Sequence, residues 1–181
     1  MGPKYEFTDE TINYAGYKLH RIRRIEDSKL GGWIESEANL SQEGNCWVAD
    51  DAKVYGYAHV CDDACISDKA QVYDDACIHN KAKIYGNARV YDNACVFDNA
   101  RVYDEAEVYD KAWVSDLAEV SSNAQVYGKA QVSDEAHVYG NAKIYEDAEI
   151  CSNAKIHGNV KVHGNAKIAN TELDGDNDIT S

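Results

Sequence analysis

Ile84-Tyr85-Gly86-Asn87-Ala88-Arg89 followed by Val90-Tyr91-Asp92-Asn93-Ala94-Cys95 is one six-residue unit read twice. Each unit opens on a β-branched residue and carries alanine at its fifth position. Outward from this stretch, a valine or isoleucine recurs at every sixth residue from Val48 to Ile168, 21 times without interruption. Alanine holds the fifth position from Ala52 to Ala166, with Val160 the only departure in 20. A fixed period marks a repeat architecture, and it decides the fold ahead of local propensity.

Valine and isoleucine are stiff β-formers. Alternate side chains of a strand face the same way. The alanine lies two residues before the next valine or isoleucine, so both face one side and their neighbours face the other. Between them sit pairs such as Asp50-Asp51, Gly86-Asn87, Asp92-Asn93 and Gly140-Asn141. These residue types tolerate the positive φ of a turn. The unit is therefore a short strand plus a corner, with small alanine at the crowded corner. An amphipathic helix would need apolar spacing near 3.6, which a strict six does not supply.

The two units above, and Val138-Tyr139-Gly140-Asn141-Ala142-Lys143, resemble the hexapeptide repeat. That resemblance implies an all-β fold: a left-handed parallel β-helix, a triangular solenoid with three hexads per coil. Seven coils at ~4.8 Å each would make a prism about 34 Å long. The stretch Leu30-Gly31-Gly32-Trp33-Ile34-Glu35-Ser36-Glu37, with Gly44-Asn45-Cys46-Trp47-Val48 after it, is similar to the opening of small hexapeptide-repeat proteins of bacteriophages and prophages. One domain with caps is expected. Residues 1–33 form an N-terminal cap, residues 34–169 the β-helix, and residues 170–181 an acidic tail or end cap. Within the cap, Thr11 to Tyr14 and Tyr17 to Ile25 read as a hairpin around Ala15-Gly16.

The formal net charge is −14, which argues against direct binding of nucleic acid and suits a basic protein partner. No apolar run reaches about 18 residues and no signal-peptide pattern opens the chain, so a soluble, cytoplasmic protein away from membranes is expected. The six cysteines follow the hexad rather than a disulfide framework, which predicts free thiols in a reducing compartment. His20, Arg21, Arg23 and Arg24 form a basic cluster, either a docking patch or ion-pair partners for the acidic coils. Glu172, Asp174, Asp176 and Asp178 crowd the tail, but the glycine is misplaced for a calcium loop and no closing glutamate follows.

With three hexads per coil, the outward residues sort into three faces. One carries Tyr55, Tyr73, Tyr91, Tyr109, Tyr127 and Tyr145 in a single column, an aromatic platform for a protein partner. A second brings Cys77, Cys95, Phe97, Trp113 and Leu117 together as an apolar patch on an acidic surface, the pattern of an interface. His59, Cys61, Cys77 and His79 make a rectangle on that same face. Its columns are roughly 7 Å apart and its spacing fits no standard zinc site, so no metal is expected there. The third face is mixed and polar.

The best-known hexapeptide-repeat proteins are acyltransferases, with a catalytic histidine between subunits, a loop breaking the coil and often a C-terminal helix. Here no loop interrupts the hexads and no helical segment follows Ile168. Ice binding would need a threonine array, and the repeats hold no threonine. The sequence thus reads as a non-catalytic rigid scaffold without a cofactor, a protein-binding module that in a phage setting blocks a host or defence protein. A homo-oligomer is expected, a dimer ahead of a trimer. The alternatives are an acyltransferase-like enzyme with a subunit-interface site, and an acidic nucleic-acid mimic.

Overall fold

The computed structural model describes residues 2–181. Each hexad forms a short strand and a corner; Lys83–Ile84, Arg89–Val90 and Cys95–Val96 are three in succession. Strands pair in parallel with those one coil away, so Arg89 sits between Gln71 and Glu107, eighteen residues to either side. Eighteen residues are three hexads, and the coils stack into three sheets of 11, 8 and 7 strands. The molecule is an all-β parallel β-solenoid of about eight turns, with no α-helix among the described residues. The valines, isoleucines and alanines of the repeat fill its interior; Ile84, Ala88, Val90 and Ala94 have no exposed surface.

The corners explain much of the acidity. At Asp110 the chain turns through φ 58°, and Ala112 donates its N–H to Tyr109 O at 3.2 Å. Asp, Asn, Ser and Gly recur at the equivalent positions, Asp92, Asn80, Ser122 and Gly86 among them, because they enter the left-handed region at little cost. The aspartates do more. Asp110 Oδ2 accepts the backbone N–H of Gly128 one coil on, at 3.0 Å. Asp68 holds Gly86 at 2.9 Å and Asp134 holds Ser152 at 2.9 Å in the same way. Each carboxylate satisfies a donor that the ladder leaves free at the corner.

The repeat slips at both ends. Ile34 pairs with Val54 and Leu40 with Val60, a spacing of twenty. Ile156 pairs with Leu173 and Val162 with Ile179, a spacing of seventeen. The segment 170–181 therefore carries two strands, Glu172–Leu173 and Asp178–Ile179, that continue two of the sheets. This lengthens the expected seven coils to about eight.

Three longer strands build the cap: β1 (Tyr5–Tyr14), β2 (Tyr17–Arg24) and β3 (Leu30–Ile34). β1 begins at Tyr5, ahead of the expected Thr11. Ala15 and Gly16 both take positive φ, 48° and 87°, the two-residue turn that suits the twist of a hairpin. β2 pairs antiparallel with β3, and β3 pairs in parallel with Lys53–Val54, so the hairpin extends one solenoid sheet. Tyr5 and Ile22 are buried against the end of the core, and the Tyr5 hydroxyl donates to Leu40 O at 2.8 Å. The cap covers an apolar end that a repeat would otherwise expose.

Candidate functional site

The tyrosine column forms a continuous stack. Successive rings from Tyr73 through Tyr91 and Tyr109 to Tyr127 lie 4.9 Å apart with planes within 4°. Tyr145 extends the stack, and His163 lies 4.8 Å beyond it. The strand spacing sets this distance, so the rings stack because the coils do. Tyr55 departs from the expected platform. The hairpin folds over it, and Tyr55 packs with Leu19 and Trp33 beneath Tyr14 and Tyr17, leaving the ring only 5% exposed. Burial raises the Tyr73 and Tyr109 phenols to about 12 and pushes Tyr55 and Tyr91 further up. An open ladder remains from Tyr73 to Tyr145.

On the second face, Cys77, Cys95 and Trp113 occupy one column in direct register. Phe97 meets Trp113 edge-on at 6.2 Å and stacks on His79 at 5.1 Å. Trp113 is 52% and Leu117 54% exposed. Leu117 replaces a polar corner residue in a shallow trough lined by Asp98, Asp116 and Asp134. Cys77, Cys95, Phe97 and Trp113 are thus neighbours, and Leu117 stands exposed at the acidic corner of the same face. Tyr57, 86% exposed at a corner near the cap, went unnoticed in the sequence because it stands outside the strand columns.

The rectangle of His59, Cys61, Cys77 and His79 does not form. His59 turns to the short turn at Glu37–Asn39, its Nδ1 2.8 Å from Ala38 O. Cys61 Sγ turns to Asp62 at 3.7 Å, and burial lifts its thiol to about 11. A different trio converges instead. Cys77, His79 and Cys95 place one ligand atom each within 4.8 Å of one another. His79 Nε2 lies 3.5 Å from Cys95 Sγ. The imidazole spans the diagonal between columns that separates shorter side chains, and the Phe97 ring fixes its tilt. The Cys77 thiol is lowered, chiefly by a hydrogen bond from the Cys95 thiol, with burial opposing and the two neighbouring histidines adding to the fall. The same hydrogen bond and burial push Cys95 up.

Three other histidines face carboxylates, among them His137 3.6 Å from Glu119. His157 lies 3.1 Å from both Glu172 and Asp174, and His163 lies 2.8 Å from Asp178. The basic cluster is engaged within the cap and its contacts. Arg21 covers the Trp33 ring at 5.1 Å and reaches Asp51 at 4.0 Å. Arg23 pairs with Glu6 at 2.6 Å, Arg24 lies over Trp47 at 4.6 Å, and His20 stacks on Phe7. Beside Arg24 an open cleft of about 880 Å³ runs between the N-terminal segment and the loop at Gln42–Trp47. Lys4 crosses it to Cys46, with Nζ 2.9 Å from the carbonyl and 3.1 Å from Sγ.

The sequence model of the YdcK beta solenoid repeat matches residues 82–97. Those residues hold three consecutive strands, one in each sheet, and include Cys95 and Phe97. In architecture the chain is a β-solenoid, which the strand pairing shows. No curated protein matches it. No helix among the described residues is long and apolar enough to cross a membrane.

Proposed function

We propose that the protein is a non-catalytic, rigid binding scaffold. It pairs with a second copy of itself through the face of Phe97, Trp113 and Leu117, and it offers the open tyrosine ladder to a protein partner. The observation that carries this reading is the pairing of Trp113 and Leu117, each more than half exposed, on a face whose other corners are polar. Full burial of such a side chain is worth roughly 1.5–3 kcal/mol, and covering the exposed half of each recovers about half of that. A second copy is the occupant favoured here, because a flat sheet needs a flat mate and a two-fold axis supplies one with the same aromatic residues. The coils run without an inserted loop, and His157 and His163 are held by carboxylates rather than poised beside a nucleophile. The corner aspartates serve the backbone of the next coil, which accounts for the acidity without nucleic-acid mimicry.

The net charge of −14 selects a basic partner for the ladder. Resemblance of the residues around Trp33 to phage and prophage proteins extends the proposal to a host or defence protein in a bacterial cytoplasm. Six free cysteines fit that reducing compartment. Acrylamide quenching tests the self-association. Trp33 and Trp47 are buried, so the quenchable fluorescence belongs to Trp113. Quenching should weaken as protein concentration rises from below micromolar to tens of micromolar. Constant quenching across that range contradicts the proposal.

A further inference from the structure

We propose that Cys77, His79 and Cys95 form a zinc site with one coordination position left for water or an incoming ligand. The site stands on its own geometry and does not depend on what docks against the face. Two thiolates and an imidazole are the donor set that selects zinc among abundant divalent ions, and three protein ligands plus an open position is a recognised zinc arrangement.

The distances agree with that chemistry. Zinc lies ~2.3 Å from sulfur and ~2.0 Å from imidazole nitrogen, so a tetrahedral centre holds its sulfur and nitrogen ligands about 3.6 Å apart. His79 Nε2 and Cys95 Sγ are already 3.5 Å apart. Cys77 stands on the strand beside Cys95 in direct register, with its ligand atom within 4.8 Å of the other two. The stack with Phe97, planes within 4°, orients the imidazole before any ion arrives. Orientation of this kind normally comes from a partner outside the ligand set. His59 and Cys61, the nearest competitors, are drawn away to Ala38 and Asp62. The acidic surface draws cations toward the face.

The test uses the whole chain, reduced and stripped of metal, titrated with cobalt chloride and then zinc chloride. One cobalt ion per chain should bind, with the strong visible d–d bands of a tetrahedral centre and thiolate charge-transfer absorption in the near ultraviolet. Zinc should displace it. Cys77→Ser and Cys95→Ser should each abolish the charge-transfer signal. His79→Ala should weaken binding by more than the roughly 10–100-fold that loss of a ligand's hydrogen-bond partner costs. Cys61→Ser and Cys151→Ser should leave binding unchanged. All these side chains point out of the core, and circular dichroism checks that the coils persist. Absence of cobalt uptake by the wild-type chain overturns the site, as does uptake that survives Cys77→Ser and Cys95→Ser together.

Discussion

Tyr55 lies flat on Tyr73, ring centroids 5.1 Å apart and planes within 3°, yet the two rings do different work. Tyr73 belongs to the open ladder. Tyr55 is the seat of the hairpin, held under Tyr14 and Tyr17 and against Leu19 and Trp33. Truncating it removes the contact that fastens the cap to the tyrosine face. Tyr55→Ala should cost roughly 3–5 kcal/mol and Tyr109→Ala, in mid-ladder, roughly 1–2 kcal/mol. Hydrogen exchange should show the Tyr55 variant losing protection in β2 while the central coils keep theirs. Equal protection of β2 in both variants would contradict this role.

Asp110 combines a left-handed turn with a carboxylate that holds the Gly128 N–H. Asp110→Ala loses the acceptor and places a residue poorly suited to positive φ at the corner. It should cost about 1–2 kcal/mol in urea denaturation. Asp110→Asn keeps both an oxygen acceptor and tolerance of the turn, and should cost less than half as much. Equal costs would mean that the carboxylate's hydrogen bond contributes nothing.

The ladder makes the protein sensitive to alkali. Burial, the main cause, raises Tyr73 and Tyr109 from the ordinary 10.0 to about 12, and Tyr55 and Tyr91 shift in the same direction. Above pH 10 the unfolded chain releases these protons while the folded chain retains them. The unfolded state then binds fewer protons, so stability falls as pH rises. The stability they contribute is whole below pH 10 and is lost between about pH 10 and 12. Urea midpoints should drop steeply across that window, in step with late tyrosinate absorbance. Midpoints that stay level across it would contradict the partial burial of these phenols.

The body of the solenoid was legible because one strict spacing fixes three things together: the inward column, the corner and the partner one coil away. Val90 pairs with Val72 and Val108 as a three-hexad coil requires. The ends were less legible because the pairing interval changes there. The loop before Trp47 stretches it to twenty, and one residue lost near Asn170 shortens it to seventeen, so Leu173 and Ile179 fall off the six-residue count. The exposure of Trp113 and Leu117 could be read, because they break the polar pattern of outward positions. The cover over Tyr55 could not, because a column assignment holds no information about where a hairpin folds. The trio of Cys77, His79 and Cys95 was missed for a related reason. Columns place Cβ atoms, whereas an imidazole long enough to cross a diagonal meets its partner elsewhere.

The central claim is that the chain associates through the face of Trp113. Sedimentation velocity of the wild type and Trp113→Glu, at tens of micromolar and at two salt concentrations, tests it most directly. Two chains of net charge −14 repel, so added salt should strengthen the wild-type dimer. The account predicts a concentration-dependent dimer for the wild type and a monomer for Trp113→Glu. A wild type that stays monomeric in physiological salt, or a dimer that survives Trp113→Glu unchanged, would contradict it.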